Sequence, residues 1–110
     1  MKVTAVILSA GKGTRMGSDV PKQYLNINGK PMLYYTLRTF ENSNVDELVI
    51  VTGKDDIEYV RSEIVCKYDI KKVKGIVEGG KERYNSSYNG IIAATGADYI
   101  LLHDAARPCI

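Results

Sequence analysis

Val3-Thr4-Ala5-Val6-Ile7-Leu8-Ser9-Ala10-Gly11-Lys12-Gly13-Thr14-Arg15-Met16-Gly17 is the stretch whose reading decides the fold of this chain. Its first six residues form an apolar, β-branched run, the pattern of a buried strand. The residues after Ala10 hold three glycines and two cations without helical periodicity, and continue into Pro21-Lys22-Gln23. Glycines allow main-chain N–H groups to close around an anion, and Lys12, Arg15 and Lys22 bring the compensating charge. A strand that empties into such a loop is a phosphate cradle.

The composition narrows what that phosphate belongs to. A net charge of +2 over 110 residues is too small for a broadly basic nucleic-acid binder, yet three cations crowd one loop. A focused patch of that kind suits a small anionic ligand, so no nucleic-acid partner is expected. Cys66 and Cys109 lie far apart and His103 is the single histidine, which argues against a zinc site or a disulfide framework. The apolar run after Lys2 is too short for a signal peptide. No stretch approaches the roughly 20 apolar residues of a membrane helix. A soluble, cytoplasmic protein without a membrane partner is the expectation.

Outward from the loop, Tyr24-Leu25-Asn26-Ile27 reads as a short extended piece with a turn at Asn28-Gly29. Pro31 stands where a helix can begin, and Leu33, Leu37 and Phe40, with Met32, recur at helical spacing to about Glu41. Asn42-Ser43-Asn44 ends it. Glu47 to Thr52 is a second strand. Asp55 and Glu58 have capping-box spacing ahead of a helix whose apolar face is Ile57, Val60, Ile64 and Tyr68. Val73 to Val77 is a third, weaker strand, stopped by Gly79-Gly80. A third helix is expected from about Glu82 to Thr95, with Tyr84, Tyr88, Ile91 and Ile92 on its inner face and Asn89-Gly90 as poor helix residues within it. Tyr99 to His103 is a fourth strand.

Four strands alternating with three helices describe a Rossmann-like α/β fold, a parallel sheet with helices on both faces. The doubly wound order is 3-2-1-4, which sets strands one and four side by side. Ligands then bind beyond the carboxyl ends of the strands, at the switch point between those two. The loop after Leu8 and the segment after Leu102 meet there. Residues 1–110 are expected to form one nucleotide-binding domain.

Two common phosphate motifs fail on spacing. A Walker A loop needs glycine five residues ahead of Gly-Lys-Ser/Thr, but Val6 holds that place and Gly13 follows Lys12. The dinucleotide signature starts correctly at Gly11 and Gly13, but its third glycine falls on Met16. The remaining reading is chemical. Gly11 and Gly13 wrap a triphosphate while Arg15, a planar fork, and Lys22, a compact charge, reach it. Attack at an α-phosphate accumulates negative charge in the transition state and on the departing pyrophosphate, which fixed cations stabilise. Asp104, at the end of strand four, is suited to Mg²⁺, a hard ion that combines few carboxylates with phosphate oxygens.

Four blocks now carry a resemblance: Ala10-Gly11-x-Gly13-x-Arg15-Met16-Gly17, Pro21-Lys22-Gln23-Tyr24-Leu25, Gly79-Gly80-x-x-Arg83-x-x-Ser86, and His103-Asp104-Ala105-Ala106-Arg107-Pro108. Together they resemble the 2-C-methyl-D-erythritol 4-phosphate cytidylyltransferase family, which makes CDP-methylerythritol from CTP for non-mevalonate isoprenoid synthesis. The resemblance implies a nucleotidyltransferase fold, with Arg15 and Lys22 catalytic. It places Ala10, Gly11 and Gly13 along the triphosphate and the Ser9 and Ala10 backbone near the base. Gly80 and Ser86 would select cytosine, Asp104 would bind Mg²⁺, and Ala105 would lie beside the nucleotide. CTP and a polyol phosphate are the implied substrates, and a homodimer the implied full-length assembly.

Three features depart from the family pattern. Ser9 stands where alanine is more usual, and Lys81 where an acidic residue is common. Family members also run to roughly twice this length, so the chain corresponds to their N-terminal half, truncated ahead of a further catalytic lysine and a dimerisation arm. Strand four then presents an exposed apolar edge. A ribitol-phosphate or other polyol-phosphate nucleotidyltransferase is the nearest competing activity, and a nucleotide-binding module without turnover the competitor of another class. His103 reads as structural, since no nucleophile or carboxylate partner for a triad is evident. Arg83 is left open between capping, pairing with Glu82 and facing the nucleotide, and Arg107 between orienting the Asp104 loop and simple exposure. The tyrosines follow helical spacing and form no stacking platform for nucleic acid.

Overall fold

The computed structural model describes residues 1–10, 24–80 and 82–105, with the side chain of Arg83 excepted. At its centre is β1 (Val3–Ser9), buried from Thr4 onward. Next come a hairpin of β2 (Asn26–Ile27) and β3 (Lys30–Pro31), helix α1 (Met32–Glu41) and strand β4 (Glu47–Thr52). Helix α2 (Ile57–Val60) is preceded by a 3₁₀ turn at Lys54–Asp56 and continues as a π-helical segment, Arg61–Cys66. Strand β5 (Val73–Glu78), helix α3 (Arg83–Ala93) and strand β6 (Tyr99–Asp104) complete the order.

β1 pairs in parallel with β4 on one side and β6 on the other, and β4 pairs in parallel with β5. The order β5-β4-β1-β6 is the expected 3-2-1-4 arrangement, because the two-residue strands of the hairpin form a sheet of their own. Period-2 alternation divides β1 between two cores. Ala5 and Ile7 join Leu48, Ile50, Leu33, Leu37, Val60 and Ile64 on the face covered by α1 and α2. Val6 and Leu8 join Val49, Val51 and Ala94 on the face covered by α3. Both faces of the central strands are therefore sealed, which is why their sequences are continuous apolar runs.

Three local expectations are corrected. Pro31 is not the first helical residue but the extended N-cap of α1, paired with Asn26 in the hairpin. Its preceding turn carries positive φ at Asn28 and Gly29 (53° and 85°), the geometry of a tight two-residue hairpin loop. The Asp55–Glu58 capping box does not form: Asp56 takes the N-cap of α2 in a helical conformation, without a side-chain cap. Its carboxylate instead accepts a hydrogen bond from the Tyr24 hydroxyl at 3.4 Å. A capping box does occur at α3, between Glu82 and Asn85.

The third correction concerns which side of α3 faces inward. Tyr84, Tyr88, Ile91 and Ile92 are exposed, while Ser86, Gly90 and Ala94 are buried on the opposite side. A Cβ on Gly90 would come within 3.0 Å of Val6 Cγ1 and Val51 Cγ2. The helix sits so close to β1 and β4 that only small residues fit between them. As expected, β6 is an apolar edge. Leu101 and Leu102, on opposite faces of the strand, are 47% and 46% exposed.

Candidate nucleotide-binding site

The carboxyl ends of the four strands gather most of the described residues singled out in the sequence. Ser9 stands level with Thr52 of β4, Thr52 with Glu78 of β5, and Leu8 with Asp104 of β6. Two main-chain bonds extend this edge beyond the strands. Ala105 N–H donates to Leu8 C=O at 2.9 Å, and Gly79 N–H donates to Thr52 C=O at 2.7 Å. The segment after β6 and the Gly79-Gly80 turn are thus both tied to the ends of the central strands.

The α3 side of this edge carries the expected base-recognition residues. Gly80 N–H donates to Ser86 Oγ at 3.2 Å, so the turn and the first part of α3 are joined through the serine hydroxyl. A Cβ built on Gly79 would stand 2.6 Å from Ser86 Oγ and closer still to Ala10 Cβ. Ala10, Gly79, Gly80 and Ser86 therefore form one packed junction, with Ser86 buried and Gly80 exposed. A serine hydroxyl that accepts one bond can still donate its own proton.

The opposite side is a hydroxyl cluster. The Tyr24 and Thr52 hydroxyls lie 2.6 Å apart. Burial raises the Tyr24 phenol above its ordinary value, and hydrogen bonds with Thr52 and Ser9 oppose that rise. Tyr59 packs edge-on against the Tyr24 ring at 5.2 Å between centroids. Ser9 is buried at the end of β1, level with Thr52.

Asp104 is half-buried at the end of β6, and Ala105 is fully buried behind it. The Ala105 carbonyl also accepts from Thr36 Oγ1 at 3.4 Å, which fastens this turn to α1. His103 packs edge-on against Phe40 at 5.2 Å, in keeping with its structural reading. Among the described residues, no three His, Cys, Asp or Glu side chains are grouped to hold a metal by themselves. A single carboxylate such as Asp104 suits a divalent cation that also takes phosphate oxygens as ligands.

The structure thus brings Ser9, Ala10, Gly80, Ser86, Asp104 and Ala105 to one edge. Gly11, Gly13, Arg15, Lys22, Lys81 and Arg107 lie outside the described residues, as does the side chain of Arg83. Gly79, Tyr24 and Thr52 had no site role in the sequence reading. Gly79 reads from sequence as a strand breaker and as the opening of the Gly79-Gly80-x-x-Arg83-x-x-Ser86 block, without a role of its own, and the pairing of Tyr24 with Thr52 spans 28 residues.

A profile of IspD, the 2-C-methyl-D-erythritol 4-phosphate cytidylyltransferases, matches residues 3–110. The chain belongs to this family. The 2-C-methyl-D-erythritol 4-phosphate cytidylyltransferase of Lachnoclostridium phytofermentans is 51% identical over 109 residues, covering 99% of this chain and 47% of that protein. That of Lachnospira eligens is 50% identical over 108 residues, covering 97% and 47%. The crystal structure of 4-diphosphocytidyl-2C-methyl-D-erythritol synthase from Anaerococcus prevotii superposes with a TM-score of 0.78 at 31% identity, over 97% of this chain and 44% of that one. This cytidylyltransferase-family chain spans about half the length of the curated relatives it matches. No helix among its described residues is long and apolar enough to cross a membrane.

Proposed function

We propose that this chain supplies the nucleotide-binding half of a cytidylyltransferase that transfers CMP from CTP to 2-C-methyl-D-erythritol 4-phosphate and releases pyrophosphate. The observation that carries the reading is the family match over residues 3–110. The meeting of Ala10, Gly80, Ser86, Asp104 and Ala105 at one sheet edge agrees with it. An acceptor phosphate oxygen bonds to the α-phosphorus as the bond to the β-phosphate bridging oxygen breaks.

Each residue takes a role that its chemistry suits. Gly80 and Ser86 read the base, while Ser9, Ala10 and Ala105 line the nucleotide. The backbone at Gly11 and Gly13 takes the triphosphate. Arg15 and Lys22 offset the charge that develops at the α-phosphate and on the leaving group. Asp104 holds a divalent cation, Mg²⁺, which when bound would neutralise phosphate charge. A cytoplasmic, homodimeric full-length enzyme without nucleic-acid or membrane partners fits this chemistry. Residues 1–110 act as one domain within it.

Pyrophosphate release in the full-length protein tests this, with CTP, Mg²⁺ and either 2-C-methyl-D-erythritol 4-phosphate or ribitol 5-phosphate as acceptor. Turnover with the first acceptor, and a loss of about 100-fold or more in kcat for Arg15→Ala and Lys22→Ala, are expected. Unchanged turnover in Lys22→Ala would remove its catalytic assignment. A second reading rests on the 47% coverage of the relatives: these 110 residues by themselves bind nucleotide without turnover. CTP binding without pyrophosphate release by the 110-residue chain is its expected signature.

A further inference from the structure

Gly79 lies between Ala10, just past the end of β1, and Ser86 near the start of α3. Its α-carbon faces Ala10 Cβ, Ser86 Oγ and, at 3.3 Å from a built Cβ, Val51 Cγ1. Any side chain there would stand under 3.0 Å from both Ala10 Cβ and Ser86 Oγ, so both neighbours must give way. Ala10 Cβ is rigidly attached to backbone, so yielding on that side displaces the chain where β1 leads into the phosphate-binding stretch. Ser86 Oγ can rotate away, but only by abandoning its bond with Gly80 N–H. Each relaxation disturbs a group that the proposed function places against the nucleotide.

We propose that Gly79 is a specificity-determining positioning residue: its missing side chain sets the separation between Ala10 and the Ser86 hydroxyl, and so the width and register of the nucleobase slot. The inference rests on the cytidylyltransferase reading and deepens it. Gly79 need not touch the base. It transmits the position of β4, through the 2.7 Å bond of its N–H to the Thr52 carbonyl, to both walls of the slot. The same geometry explains why the turn holds two adjacent glycines with separate duties. The second, Gly80, would collide with Asn85 of the capping box if it bore a Cβ.

The test is steady-state kinetics of the full-length protein with CTP, UTP and ATP, for wild type, Gly79→Ala, Ala10→Gly and the Ala10→Gly/Gly79→Ala double variant. Gly79→Ala is expected to raise the KM for CTP about tenfold or more with a smaller change in kcat, and to lower the preference for CTP over UTP. Ala10→Gly in the same chain removes the tighter of the two clashes, leaving that with Ser86 Oγ, and is expected to restore part of the loss. Val60→Ala, a cavity variant on the other face of the sheet, should lower stability without moving the KM for CTP. A folded Gly79→Ala with wild-type KM and selectivity would overturn the inference, as would a loss that Ala10→Gly leaves wholly unrepaired. If Gly79→Ala does not fold, Ala10→Gly alone decides: weakened CTP selectivity supports the spacer role, and unchanged selectivity overturns it. A wild-type enzyme indifferent to the base would instead defeat the cytidylyltransferase reading itself, a result separable from failure of Gly79 alone.

Discussion

The hydroxyl of Tyr24 lies 2.6 Å from that of Thr52, joining the residue that leads into the β2–β3 hairpin to the last residue of β4. Both side chains are buried, so the bond forms where water cannot replace it. Removing the Tyr24 hydroxyl takes this bond from the buried Thr52 hydroxyl, at a cost larger than the net worth of the bond, whereas Tyr24 keeps its bond to Asp56 when Thr52 is changed.

Tyr24→Phe should therefore destabilise the fold by about 1–3 kcal/mol, and Thr52→Val by about 1 kcal/mol. The double variant should cost less than the sum, because the second change removes a group already left unpaired. Urea unfolding of the four proteins measures this. Strict additivity would show that the two hydroxyls are not coupled.

The same phenol gives an alkaline limit. Desolvation raises the Tyr24 value in the folded chain, so between the unfolded value of about 10 and the higher folded value the unfolded chain binds fewer protons. Stability should be independent of this group below about pH 10 and fall as pH rises through the folded value. Tyr59 shifts in the same direction, chiefly by burial, and adds to the slope. Melting temperatures from pH 8 to 11 should fall less steeply in Tyr24→Phe than in wild type. Identical slopes would show that Tyr24 does not contribute.

Gly90→Ala sets two effects against each other. Helix propensity favours alanine by up to about 1 kcal/mol, whereas overpacking costs about 1–3 kcal/mol. Overpacking should win, because the methyl meets Val6 and Val51 on the two central strands, which have no room to retreat. A net loss of about 1–2 kcal/mol is expected, partly recovered by Val51→Ala. Denaturant midpoints would show it, and a stabilised Gly90→Ala would refute the close approach of α3.

Leu101 and Leu102 expose apolar surface on both faces of an edge strand, a combination that invites pairing with another chain. Expressed by itself, the 110-residue chain should self-associate, and Leu101→Lys with Leu102→Glu should shift it toward monomer. Sedimentation velocity over a concentration series would reveal this. A wild-type chain that stays monomeric throughout would remove the edge as an association surface.

Much of this was written locally. Val3–Ser9 and Glu47–Thr52 are unbroken apolar runs because strands sealed on both faces need them, and the helices between them required parallel pairing. From that followed the strand order and the meeting of Ser9 and Ala10 with Asp104. Other features depended on partners distant in sequence. Asp55 had the spacing of a cap, but Asp56 became the N-cap of α2 and its carboxylate turned to Tyr24. The inner face of α3 was misread because amphipathicity ranks large apolar residues first. Tertiary packing chose Ser86, Gly90 and Ala94, since the helix approaches β1 and β4 too closely for anything larger. By itself, then, the sequence determined the elements, their order and the edge where a nucleotide would sit. Only the tertiary structure decided how near those elements come to one another. At that distance Gly79 stops being a strand breaker and becomes the spacer of the site.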